Sequence, residues 1–148
     1  MDLAFLLAHA SHVLSTELTA ELASQGITPR GQCVLSAALE GERTQIQLAE
    51  ACQLDKTTMV VTVDELEKAG MVERQMSPTD RRARIIAVTE LGRKVHKAAQ
   101  DVVARVYEDV LSTLPDEERA AFLSGLTRLV ENRLSTPVAC QRAPRRRM

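Results

Sequence analysis

The sequence predicts a mostly α-helical fold with one small β-hairpin near its middle, and three observations predict it. Apolar residues recur at helical spacing through six segments. Polar caps, prolines and glycines punctuate those segments at their ends. At one place only, around Ser77-Pro78-Thr79-Asp80, the helical period gives way to two short strand-like runs. The 148 residues, 45% hydrophobic and 26% charged, suit one ordinary globular domain.

The first helix carries Leu3, Leu7, Ala10, Leu14, Leu18 and Leu22 on one stripe, and Gln25-Gly26 ends it. Thr28 followed by Pro29 is a cap-then-proline start, and the second helix presents Val34, Leu35, Ala38 and Leu39 before Gly41 stops it. Thr44 then caps the short helix TQIQLAEAC, with Ile46, Leu48 and Ala49 expected to face inward. Gln53-Leu54-Asp55 makes a tight connection, and Asp55 caps KTTMVVTVDELEKA. Gly70 stands where a left-handed C-terminal cap belongs.

Met71 to Gln75 and Ala83 to Val88 read as the two strands of a hairpin with a longer turn. Thr89 caps a long helix to about Thr113, with Val95, Ala99, Val102, Val103, Val106 and Val110 on its apolar side. Pro115-Asp116-Glu117-Glu118 opens the last helix, its acids placed where the helix dipole favours them. Its stripe is Phe122, Leu123, Leu126, Leu129, Val130 and Leu134. The segment 137–148 lacks periodicity and is expected to be a disordered basic tail. No internal repeat is present.

The formal net charge is only -1, but it is unevenly spread. Residues 1–55 carry two basic and seven acidic side chains, a net of -5, whereas residues 74–97 carry seven basic and two acidic ones, a net of +5. Such segregation concentrates potential on one surface. With Phe5, Tyr107 and Phe122 as its only aromatic residues, the chain lacks the stacking platforms that single-stranded nucleic acid needs. Cys33, Cys52 and Cys140 are odd in number and widely spaced, which argues against a disulfide framework or zinc ribbon and for a reducing compartment. Asp2 replaces the basic region of a signal peptide, and no apolar run approaches the ~20 residues of a membrane helix. A soluble, cytoplasmic protein without a membrane partner is expected.

Two helices joined by a tight turn and followed at once by a basic hairpin follow the plan of a winged helix-turn-helix. A helix about 10 Å across fits the major groove of duplex DNA, and the hairpin reaches a neighbouring groove or the phosphates. The stretch LAEACQLDKTTMVVTVDELEKAGMVERQMSPTDRRARIIAVTELG resembles the MarR family of bacterial transcription regulators. The likeness rests on Leu48-Ala49, Asp55-Lys56-Thr57, Leu66-Glu67, Gly70, Arg74, Asp80-Arg81-Arg82 and Val88-Thr89-Glu90-Leu91-Gly92, in the family's order. It implies a single domain over 1–136, with the winged core at 28–92 and dimerisation helices at 1–25 and 93–136. It also implies a homodimer on a palindromic operator, acting as a repressor relieved by a small molecule or by oxidation.

Residue roles follow one at a time. Met59, Val63 and Leu66 share the core face of the fourth helix. Lys56, Thr57, Val60, Val61 and Asp64 take the opposite side. Lys56 and Thr57 at this helix start, and Thr44 and Gln45 at the preceding one, suit phosphate or base-edge contact. Val60 and Val61 suit thymine methyls; the alternative is that both pack in a broader core. Many family members carry a polar residue and then Arg there, so this chain is expected to favour A·T-rich contacts. The resemblance further implies that Asp80 steers Arg82 to the minor groove while Arg74, Arg81 and Arg84 follow the backbone. The alternative is a solvated hairpin with a weak Asp-Arg pair.

His9 and His12 lie three apart on the first helix; no further ligand completes a metal site, and the resemblance implies instead that they line an effector pocket. Cys33 and Cys52 read as small core residues. No phosphate loop, nucleophile elbow or buried carboxylate pair is present, so neither an enzyme nor a cofactor is expected. A winged-helix interaction module without DNA binding is the competing reading, resting on the acids Asp64, Glu65 and Glu67 and on the two valines. Arg145 to Arg147 serve either DNA attraction or solubility.

Overall fold

The computed structural model describes residues 1–138; Cys140 and the arginine run 145–147 lie outside them. Six α-helices and one two-stranded sheet follow in the order α1 (Leu3–Leu22), α2 (Pro29–Leu39), α3 (Gln45–Ala51), α4 (Lys56–Lys68), β1 (Val72–Met76), β2 (Arg84–Val88), α5 (Glu90–Ser112) and α6 (Asp116–Glu131). A mostly helical fold with a small antiparallel hairpin is therefore observed. The chain forms two compact units that divide after Tyr107, within α5.

Local signals set the element boundaries. Asp2 caps α1 through its Oδ1, which accepts from the Phe5 amide at 3.0 Å. A turn of 3-10 helix carries the chain to Gly26, whose φ of 68° is left-handed. The Thr28 hydroxyl accepts from the Gly31 amide, with Pro29 at the first position of α2. Gly70, at φ 76°, closes α4 and turns the chain into β1. The Thr89 hydroxyl then donates to the Gly70 carbonyl at 2.6 Å and accepts from the Gly92 amide at 3.0 Å, joining the end of α4 to the start of α5.

In the first unit, Leu22, Val34, Leu35, Leu48, Met59 and Val63 are fully enclosed. β1 adds Val72, β2 adds Ile86, and α5 adds Ala99 and Val102. α4 shows why packing decides. Its six β-branched residues cost roughly 0.5 kcal/mol each in helix propensity, about 3 kcal/mol together. Burial of Met59, Val63 and Leu66 offsets this at roughly 2 kcal/mol each. The hairpin pairs Val72 with Val88 through Met76 with Arg84. Its free edge is extended by a bridge from Thr44 to Ile85 and by the Ile86 amide donating to the Arg43 carbonyl at 3.0 Å, so the residues entering α3 act as a third short strand.

In the second unit, Arg119 ties the last turn of α5 to the first of α6. Its Nε donates to the Leu111 carbonyl at 3.1 Å, and its Nη atoms lie 3.5 Å from Glu108 and 3.6 Å from Asp116.

Two core assignments from the sequence are corrected. Ile46 is 59% exposed rather than inward, because a seven-residue helix shows too little period to choose a face. The face Leu48, Ala49 and Cys52 packs instead. Cys33 is exposed on α2 rather than buried. The strands each begin one residue later than expected.

Candidate nucleic-acid interface

α4 is set by Asp55, whose Oδ1 accepts from the Thr58 amide at 2.8 Å and whose Oδ2 accepts from the Thr58 hydroxyl at 2.6 Å. The Thr58 hydroxyl, then its amide, holds the Asp55 carboxyl below the usual carboxylate range. With the cap occupied internally, Lys56 and Thr57 stand exposed on the first turn. One turn on, Val60 and Val61 are 41% and 51% exposed, while Met59, Thr62, Val63 and Leu66 are buried. The broader-core alternative for the two valines is excluded by these exposures. An apolar patch thus occupies the outer face of a helix whose start is polar and cationic.

Thr44 and Gln45 are less free than the sequence suggests. The Thr44 hydroxyl accepts from the Gln47 amide at 3.3 Å, and Gln47 Oε1 accepts from the Thr44 amide at 2.9 Å, a reciprocal capping box. Gln45 Oε1 accepts from Arg74 Nη2 at 3.2 Å. Both residues are half-buried, and both have structural partners.

The wing loop is organised from within. Ser77 Oγ accepts from the Thr79 and Asp80 amides, each at 3.3 Å. The Ser77 amide donates to the Ala83 carbonyl at 3.0 Å. Asp80 Oδ1 accepts from the Arg82 backbone amide at 2.9 Å, so the aspartate shapes the turn through the main chain and leaves the Arg82 guanidinium free. Arg81, Arg82 and Arg84 are all exposed, and none makes an ion pair among the described residues.

Arg74 differs from them. Its guanidinium donates to Asp64 at 2.5 Å and also to Glu67, and its backbone amide donates to Glu67 Oε1 at 3.3 Å. The Asp64 hydrogen bond is the main cause of its raised pKa. Arg74, expected along the DNA backbone, is bonded here to side chains of α3 and α4, because two α4 carboxylates lie within reach of the first strand. The same bonds neutralise two of the three acids on the face that supports an interaction-module reading.

A cavity of about 570 Å³ lies between the C-terminal part of α1, α2 and α5, walled by Leu22, Gln32, Cys33, Asp101, Val103 and Tyr107 among others. The sequence offers no direct signal for it, since three separate helices build it. His9 and His12 are not in its wall. Both are exposed further towards the N-terminus of α1, with the His9 ring stacked on Phe5 at 5.6 Å between centroids. Among the described residues no cluster of three or more His, Cys, Asp or Glu side chains can hold a metal ion, and no helix is long and apolar enough to cross a membrane.

The MarR family profile matches residues 25–83. The structure is similar to CouR from Rhodococcus jostii RHA1 bound to p-coumaroyl-CoA, at 28% identity and TM-score 0.77, over 95% of this chain and 96% of that one. CouR as a transcriptional repressor bound to a 23-mer DNA duplex matches at 29% identity and TM-score 0.79, over 87% and 92%. A MarR-family transcriptional regulator from Rhodococcus sp. RHA1 matches at 29% identity and TM-score 0.78, over 93% and 96%.

Proposed function

We propose that this chain, whose residues 25–83 match the MarR family profile and whose fold is similar to MarR-family regulators, is a homodimeric repressor that binds a palindromic operator and releases it when a small molecule binds. The observation that carries the reading is the pairing of a wing bearing three arginines without ion pairs among the described residues with a helix whose outer face offers Lys56, Thr57, Val60 and Val61. α4 enters the major groove, the valines meet thymine methyls, and Arg82 reaches the minor groove, where a narrow A·T tract concentrates negative potential. Arg81 and Arg84 follow the phosphates.

Dimerisation is supported on each terminal element separately. α1 exposes Phe5, Leu6 and Val13, and α6 exposes Phe122, Leu123 and Val130, more apolar surface than an isolated helix face keeps in water. Two-fold pairing sets the two α4 helices about 34 Å apart, one turn of DNA. The cavity beside α2 supports effector binding, since a ligand held there touches α2 of the winged core together with α1 and α5. The bonding of Arg74 to Asp64 and Glu67 leaves the competing interaction-module reading with Glu65 as its one α4 acid without an ion pair among the described residues.

Footprinting on the DNA upstream of its own gene tests the reading. Protection of an inverted repeat with half-site centres about one helical turn apart is expected. Uniform or absent protection would refute it.

A further inference from the structure

The wall of the cavity between α1, α2 and α5 is one-sided in its chemistry. Leu18 and Leu22 of α1, Pro29 of α2 and Val103 of α5 make it partly apolar. Asp101 of α5 is its one charged residue, exposed and without an ion pair among the described residues. Among the described residues no lysine, arginine or histidine lines it.

Gln32 adds to the bias. It belongs to the same wall and is only 7% exposed. Its Nε2 donates to the His96 backbone carbonyl at 3.2 Å, whereas its Oε1 has no hydrogen-bond partner among the described residues. The donor of this amide is thus committed within the protein and its acceptor is left over. A buried acceptor without a donor is costly, so a ligand that brings an N–H recovers that cost.

The start of α2 would ordinarily draw an anion, but here it has little to give one. Pro29 has no amide hydrogen, the Gly31 amide donates to the Thr28 hydroxyl at 3.1 Å, and the Gln32 amide donates to the Thr28 carbonyl at 2.9 Å. Arg30, the cation of that turn, lines a neighbouring cleft with Thr57 and Glu65 of α4 instead. A carboxylate in the cavity would therefore meet Asp101 and find no counter-ion in the wall.

We propose that this cavity takes as its ligand a primary organic ammonium ion with an apolar or aromatic body. The body lies against Leu18, Leu22 and Val103, the ammonium group meets Asp101, and Gln32 Oε1 is the further acceptor that the wall supplies. The proposal rests on the effector reading of the cavity above and adds the chemical class of the ligand. At about 570 Å³ the space is that of an ordinary small-molecule site.

Three probes that share an indole body and differ at one end test it: tryptamine is an ammonium ion, tryptophol a neutral alcohol and indolepropionate a carboxylate. Calorimetry on the full-length protein without DNA, at neutral pH, should rank their affinities in that order. An exposed ion pair gains up to about fivefold and a like-charge contact costs about as much, so tryptamine should bind at least about tenfold more tightly than indolepropionate. Asp101→Asn should bring the two within about twofold of each other, and Asp101→Lys should reverse their order, while tryptophol binds wild type and both variants alike. Equal or tighter binding of indolepropionate by the wild type, a preference unchanged in Asp101→Asn, or no binding of tryptamine would overturn the proposal. Tryptamine should also release a labelled operator duplex. Binding without release would refute the effector reading and leave the ligand class standing.

Discussion

Salt dependence separates the arginines that the structure leaves free from the one it consumes. Each protomer offers Lys56, Arg81, Arg82 and Arg84 without ion pairs among the described residues. If all four meet phosphates, a dimer neutralises about eight, and log K should fall against log salt with a slope of about -7. Arg82→Ala removes two contacts per dimer and should flatten the slope by about 2, with at least about a tenfold loss of affinity at moderate salt. Arg74→Ala should leave the slope where it was, because its guanidinium is spent on Asp64 and Glu67. It should instead lower stability by about 1 kcal/mol, as expected for an exposed ion-pair network. Fluorescence anisotropy with a labelled operator duplex between 50 and 300 mM salt, about the range where such slopes are read, measures both variants. If Arg74→Ala flattens the slope as much as Arg82→Ala does, the division between strut and finger is wrong. If neither changes it, the wing does not touch DNA.

Three further outcomes follow from particular contacts. Gly92→Ala should destabilise by about 2 kcal/mol in urea unfolding, since the added Cβ would overlap the Met71 carbonyl and stand 2.8 Å from Val88 Cγ1; unchanged stability would mean that α5 is free to shift. The lowered pKa of Asp55 means its cap contributes stability at neutral pH, above its unfolded pKa, and that this is lost as pH falls through the folded value. Asp55→Asn, which still caps but does not titrate, should therefore flatten the acid limb of the stability curve below about pH 4. Leu6→Asp and Phe122→Asp should each shift the protein towards monomer in sedimentation, with helix content largely kept. A wild-type monomer, or an undisturbed dimer in both variants, would refute the assigned faces.

What the sequence made legible is what local chemistry decides. Asp55, Thr28, Thr44 and Thr89 cap helices because a short polar side chain reaches an amide two or three residues on, whatever the remaining chain does. The exposed pair Val60 and Val61 was legible for a related reason: thirteen residues of α4 are enough for Met59, Val63 and Leu66 to fix the opposite face. Ile46 was not, since α3 has seven. Arg74 could not be read as a strut, because its partners Gln45, Asp64 and Glu67 come together only when α3, α4 and β1 pack. His9 and His12 drew notice as a spaced pair, yet three helices that the sequence treats separately enclose the cavity.

How a chain of net charge -1 grips a polyanion depends on distance more than on the total. At physiological ionic strength exposed charges are largely screened beyond about 8 Å, so Glu17 and Glu21 of α1 weaken the wing only if they stand within that distance of it. Asp64 and Glu67 are different: they stand on the helix proposed to enter the groove, where two bare carboxylates beside phosphates would oppose binding directly. Arg74 therefore does more than brace the fold. By bonding both, it removes the nearest repulsion while adding no free cation of its own. Lysine at this position should be a poor substitute, since its single ammonium lacks the planar fork that serves Asp64, Glu67 and Gln45 together. Arg74→Lys should then bind the operator more weakly than wild type with its salt slope intact, and full affinity in that variant would show that charge alone, without the fork, suffices.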